Sequence, residues 1–276
     1  MFVSDPVHGT RVAYSFSRIK RPHKPTKCIF CPGAEALTPP ATLVLPEAKN
    51  WRVRCFSNKF PVVQKPFGRH EVIVETPHHD AWEHFSKKQL ALVFEAYRHR
   101  FRSMVNGQNA RYVLLFKNFG DKSGASIDHE HAQIVSFPFL PEIIQSELRT
   151  GPSAFKKILK EPAVLESEHF KAVCPPVSRF PWETWIFSKD GKLRFEDMND
   201  KQGLELMLVL RQVIRKVKTL SWDYTVVFHA APKGRKLWFH VEVLPRKAVW
   251  GGVELGAGVI VNFKKPSEAL LELRRA

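Results

Sequence analysis

The chain has 276 residues, of which 44% are hydrophobic, 12% aromatic and 25% charged. That composition excludes disorder, fits one large domain or two ordinary ones, and contains no run near the ~20 apolar residues of a membrane helix. The net charge of +16 favours polyanionic partners, either nucleic acid or phosphorylated metabolites, but the basic residues are scattered rather than gathered in one stripe. Four cysteines, two of them in C-x-x-C, are too few for a disulfide scaffold and point to a metal site in a reducing cytoplasm.

In chain order, the opening MFVSDPVHGT lacks the basic-then-apolar order of a secretory signal, so none is expected. A loop carrying Cys28 and Cys31 follows. WRVRCFSN and RHEVIVET then alternate and are rich in β-formers, which predicts two strands. SKKQLALVFEAYRHRFRSMV has apolar residues at three-to-four spacing and predicts a helix with Ser86 as its N-cap. ARYVLLFKN predicts a buried strand, FGDKSGAS a loop and HEHAQIVSF another strand. A charged, proline-interrupted stretch from about residue 140 to 168 reads as irregular.

The second half repeats that order. FKAVCPPVSRFPWETWIFSK supplies strand material, DKQGLELMLVLRQVIRKVKTL an amphipathic helix, and DYTVVFHAAP and LWFHVEVLPR two strands around the loop PKGRK. The chain therefore reads as an α+β protein made by tandem duplication. The expected units are residues 1–150, carrying the chemistry, and residues 151–276, without a nucleophile.

The chemistry concentrates in GASIDHEHAQIVSFP, residues 124–138. On a strand, His129, His131 and Gln133 project to one side while Glu130, Ala132 and Ile134 face the other. The preceding loop offers backbone N–H groups and the Ser126 hydroxyl to an anion. A neutral imidazole on a rigid strand beside an anion cradle is the layout of a nucleophile attacking phosphorus.

These residues resemble the G-x-S-x-x-H-P-H-x-Q signature of the galactose-1-phosphate uridylyltransferase family in the histidine-triad superfamily. RIKRP, CIFCPGAEALTPP, WRVRCFSNKFP, HEVIVETPHH, FKNFG, FPWET, FHAAP, HVEVLPR and GGVELGAG resemble further blocks of that family, in the same order along most of the chain. The resemblance implies two fused histidine-triad-like units, each an antiparallel sheet with packed helices. It implies His131 as the nucleophile, with Gln133 steadying the transferred phosphate. Ser126, Asn118 and the Gly124 backbone would hold phosphates, Asn58 the ribose, and Glu254 the hexose. Arg18 and Arg21 would reach phosphate across a homodimer whose active site lies at the subunit interface.

The same resemblance implies a zinc on Cys28, Cys31, His79 and His129, and a second metal, iron or zinc, at Glu183, His229, His240 and Glu242. The implied substrates are a nucleotide sugar, UDP-glucose or UDP-galactose, and a hexose-1-phosphate, with neither nucleic acid nor membrane as partner. Glutamine in the place of the hydrolases' third histidine is a poor proton relay and favours a transferase. A nucleotide-sugar phosphorylase such as ADP-glucose phosphorylase is the alternative, and a basic zinc-containing nucleic-acid binder the rival from another class. Glu130 departs from the signature by standing where the family has proline, and alternation turns it away from the reacting face.

Overall fold

The computed structural model describes residues 2–20 and 27–276. Strands β1 (Phe2–Ser4) and β2 (Arg11–Ala13) pair as a separate hairpin. The first unit then runs β3 (Ala41–Leu45), β4 (Val53–Ser57), β5 (Arg69–Val74), helix α1 (Lys87–Val105), β6 (Tyr112–Phe119) and β7 (His131–Phe137). Helices α2 (Glu142–Thr150) and α3 (Pro152–Ile158) lead to the second, with β8 (Ala163–Glu166), β9 (Phe170–Val173) and β10 (Thr184–Ser188). Helix α4 (Asp200–Leu220), β11 (Tyr224–His229) and β12 (His240–Pro245) complete it, followed by α5 (Gly252–Ala257) and α6 (Pro266–Arg275).

Ten strands form one sheet in the order β3-β4-β5-β7-β6-β11-β12-β10-β9-β8. Reading inward from each edge gives the same winding twice: three strands in sequence, then the last strand of the unit, then the one before it. The units meet where β6 pairs antiparallel with β11, Phe119 opposite Tyr224. The fold is α+β, two similarly wound units fused through a shared sheet.

Alternation then decides which face does what. On β5 and β7, Val72 faces Gln133 and Val74 faces His131, so those side chains share one face. Ile73, Ala132 and Ile134 take the opposite face and pack with Leu90, Val93, Phe94 and Tyr97 of α1. Residues of α4 extend the same core across β10 and β12. Both long helices therefore cover one face and leave the other for chemistry. Ser86 caps α1 by accepting the Gln89 N–H, as the sequence predicts. Asn199 and Gln202 close a capping box at the start of α4. Gly203 lets α4 reach α1, since a Cβ there would meet Phe94 Cε1 at 1.9 Å.

Residues 140–168 differ from the expectation of irregular chain. The prolines that read as breakers sit at helix starts, Pro141 before α2 and Pro152 in the first turn of α3, where a missing N–H costs no hydrogen bond. Ile144 and Phe155 of these helices pack on Phe187 and Trp238, covering the open face of the second unit. Among the described residues no helix is long and apolar enough to cross a membrane.

Candidate active site

His131 opens β7, and its Nδ1 lies 2.7 Å from the carbonyl oxygen of His129. A carbonyl only accepts, so Nδ1 carries the proton and Nε2 keeps the lone pair. His131, Gln133, Ser126 and Asn58 line one cavity with an apolar wall of Ile29, Phe30, Phe56 and Val72. That wall suits a planar ring, and the polar end lies beside the imidazole.

Asn118 lines a neighbouring cavity of about 570 Å³ on the other side of Ile127, together with Asp121, Asp128 and the exposed Trp222. Gly124 does not offer its amide as expected. The loop closes on itself as a tight turn, and the Gly124 N–H donates to Asp121 O at 2.9 Å, with Ser123 and Ala125 donating to Gly120 O. Gly120, at φ 82°, is pressed so closely on Asp223 that a Cβ would sit 2.1 Å from its Oδ1. The loop is thus anchored on the second unit.

Arg18 and Glu254 are not brought to this cavity within the chain. Arg18 donates to Phe60 O (3.3 Å). Glu254 accepts from Gly251 N (2.8 Å) and Val261 N (3.2 Å) on an exposed helix. Arg21 lies outside the described residues.

Cys28, Cys31, His79 and His129 converge, with all four ligand atoms within 4.8 Å of one another. Cys28 Sγ is 3.3 Å and Cys31 Sγ 3.7 Å from His129 Nδ1, and Cys31 Sγ is 3.2 Å from His79 Nε2. His129 donates from Nε2 to Thr76 O (2.7 Å), which turns the Nδ1 lone pair toward the sulfurs. Burial pushes that imidazole down to about 4, so it stays an acceptor at neutral pH. Burial and the adjacent Cys28 thiol push Cys31 up to about 11. Two cysteine sulfurs and two imidazoles in one cluster form a donor set that fits a tetrahedral zinc.

The second unit repeats the histidine geometry. His240 opens β12 as His131 opens β7, and its Nδ1 donates to Trp238 O (3.0 Å), two residues back. Its Nε2 is buried, has no hydrogen-bond partner among the described residues, and faces Glu147, His229 and Glu242. Glu183 does not join this set. Its carboxylate is taken by the Arg179 and Phe180 amides, the Arg179 guanidinium and Trp185 Nε1. Glu147 of α2 occupies that place, 2.7 Å from His229 Nδ1. Burial alone would raise the Glu242 carboxyl, but His229, His240 and Arg179 around it hold it far below the usual carboxylate range. The orphaned His240 Nε2 and Glu147 Oε2 fit a cation between them, although Arg179 already neutralises part of Glu242, at 2.6 Å.

Behind β7 lies a group that the sequence alone does not reveal. Lys117 of β6 is buried between Glu75 and Glu130 and ion-paired to both, and Tyr97 donates its hydroxyl to Glu75. Glu130 also accepts the Trp82 N–H (3.0 Å), while its own carbonyl accepts the Glu75 N–H (3.1 Å). The acid between the two histidines is therefore a buried residue on the helix-covered side, outside the cavity that His131 lines.

The N-terminal domain of a family described as a domain of unknown function, DUF4931, matches residues 19–140. The ADP-glucose phosphorylase of Arabidopsis thaliana is 26% identical over 320 residues, covering 98% of this chain and 91% of that protein. The galactose-1-phosphate uridylyltransferase of Thermotoga maritima is 28% identical over 316 residues, covering 98% of this chain and 96% of that one. A crystal structure of the Arabidopsis ADP-glucose phosphorylase with bound ADP-glucose superposes with a TM-score of 0.84 at 25% identity, over 100% of this chain and 98% of that one. Both enzymes match over nearly their whole length. Along nearly its whole length the chain is thus homologous to galactose-1-phosphate uridylyltransferases and to the ADP-glucose phosphorylase that resembles them, a nucleotidyltransferase and phosphorylase class.

Proposed function

We propose that the protein transfers a nucleotidyl group from a nucleotide sugar to a hexose-1-phosphate through His131, as a UDP-glucose–hexose-1-phosphate uridylyltransferase. The observation that carries this reading is the His131 Nδ1 contact with the His129 carbonyl, which leaves Nε2 nucleophilic without a separate base. The Nε2 lone pair forms a bond to the α-phosphorus, the P–O bond to the hexose-1-phosphate breaks, and that phosphate leaves with the electron pair. A phosphate oxygen of the incoming sugar then attacks the same phosphorus and the P–N bond breaks, returning neutral His131. Ser126 and Gln133 donate to the phosphoryl oxygens as charge builds on them.

A second reading, a phosphorylase with inorganic phosphate as acceptor, is favoured by the likeness to the Arabidopsis enzyme across 91% of its length. Pre-labelled protein separates the two. Hexose-1-phosphate is expected to discharge the nucleotidyl group at least about tenfold faster than inorganic phosphate, a difference of about 1.4 kcal/mol in barrier. The reverse order would make the protein a phosphorylase, and running the assay with both UDP- and ADP-glucose identifies the base.

In the same reading a zinc held by Cys28, Cys31, His79 and His129 ties the N-terminal loop to the catalytic strand. Iron or zinc at Glu147, His229, His240 and Glu242 would do the same between α2 and β12. Zinc content is expected to be stoichiometric in the wild type and lost, with a lower thermal midpoint, in the Cys28→Ser/Cys31→Ser variant. Equal zinc in both would remove the site. The proposed unit boundary falls at residues 150/151. The proposed assembly is a cytoplasmic homodimer in which Arg18, Arg21 and Glu254 of each subunit serve its partner's site. Exposure of Phe16 (85%), Ile19 (90%) and Leu255 (77%) around these residues supports that arrangement.

A further inference from the structure

A glutamine beside a transferring phosphate helps or hinders according to which end of its amide it presents. Nε2 donates to a phosphoryl oxygen, whereas Oε1 repels it. Two backbone amides fix the choice at Gln133. His70, at the start of β5, is buried (4% exposed) and shares the reactive face, lying diagonally across from Gln133 in the β5–β7 register. The Val62 N–H donates to His70 Nδ1 at 3.1 Å. That nitrogen is therefore an acceptor, and the imidazole proton sits on Nε2, 3.0 Å from Gln133 Oε1.

Asn58 is fixed in the same way. Its Oδ1 accepts the Phe60 N–H (2.8 Å), which turns its Nδ2 toward Gln133 Oε1 at 3.3 Å. Asn58 Nδ2 and His70 Nε2 are 3.2 Å apart, but both are donors here, so both serve the glutamine rather than each other. Two donors converging on one atom of Gln133 require that atom to be the oxygen. The amide nitrogen is then the end directed to the cavity that Gln133 lines.

We infer that His70 is a positioning residue for nucleotidyl transfer: through its Nε2–H it holds the Gln133 amide with nitrogen toward the phosphoryl group. The inference rests on the His131 mechanism proposed above. Without His70 only the longer Asn58 contact, at 3.3 Å, still selects the oxygen, and the flipped amide, which sets a carbonyl dipole against a phosphoryl oxygen, gains population. The loss is felt most as charge builds on that oxygen, so it falls on the chemical step more than on binding.

A double-mutant cycle over His70→Ala and Gln133→Ala tests this. It reads single-turnover labelling of the protein by UDP-glucose, nucleotide-sugar affinity and thermal midpoint. His70→Ala is expected to slow labelling roughly 10- to 100-fold, the scale of one hydrogen bond to a charged group, with affinity within about twofold of wild type. In the Gln133→Ala background the same change is expected to matter less than about twofold, because the residue it acts through is gone. His70→Gln restores an N–H near the position of Nε2 and is expected to recover most of the rate. Equal slowing in both backgrounds, or unchanged labelling in His70→Ala, overturns the inference. If His70→Ala does not fold, His70→Met against His70→Gln gives the same comparison at conserved volume. Wild-type protein that takes no label from UDP- or ADP-glucose would instead overturn the His131 mechanism itself.

Discussion

His131→Ala is expected to lower turnover by roughly 10,000-fold or more, the scale seen when a covalent nucleophile is removed. The residual rate would come from a cavity that still binds substrate, so nucleotide-sugar affinity should change little. The reason lies in the geometry of the strand start. Nδ1 is committed to the His129 carbonyl at 2.7 Å, so Nε2 is the His131 nitrogen with a lone pair for phosphorus. His129, two residues earlier, turns its Nδ1 lone pair to the Cys28 and Cys31 sulfurs instead. Steady-state assays at saturating nucleotide sugar check this, and a loss below about tenfold would mean that phosphorus is attacked by something else.

Lys117→Met is expected to destabilise the fold by about 3–5 kcal/mol, the range for removing one partner from a buried ion pair. Glu75 and Glu130 would be left facing each other on the helix-covered side, with α1 supplying only the Tyr97 hydroxyl. Burial already raises the Glu75 carboxyl, and the missing ammonium would push it further, so the protein would bind protons on folding. For Lys117 itself burial lowers the ammonium, but the two glutamates outweigh it and hold it above the ordinary lysine value. Its contribution is therefore complete below the unfolded lysine pKa and lost only as pH rises through the raised one. Urea unfolding at pH 7 reads the effect, and an unchanged midpoint with unchanged slope would show the triad to be energetically idle. Glu130→Gln keeps an acceptor for Trp82 and is expected to cost less, about 1–3 kcal/mol, while His131 still takes label.

Much of the fold was legible because alternation and caps are local. The Ser86 cap, the strand periods around Ile73 and Ile134 and the repeated element order each needed only a short window of sequence. The likeness of GASIDHEHAQ to a signature placed His131 and Ser126 together before any geometry was known. What stayed hidden depends on partners far along the chain. Glu147 is hidden because its helix sits among prolines that read as breakers, and Glu183 stands out in its stead although its own loop supplies donors enough to occupy it. His70 looks like any polar residue at a strand start until the β5–β7 register sets it beside Gln133. Gly124 has the backbone freedom expected of an anion loop, yet the turn consumes its N–H. Glu130 reads as an oddity between two imidazoles, and only the placement of Lys117 explains it.

The most direct measurement is intact-protein mass followed by peptide mapping after brief incubation with UDP-glucose and no acceptor. One acid-labile nucleotidyl group on the peptide containing His131, absent from His131→Ala and removed by adding hexose-1-phosphate, is the expected result. A wild-type mass unchanged by both UDP-glucose and ADP-glucose, in protein shown to be folded, would contradict the covalent mechanism.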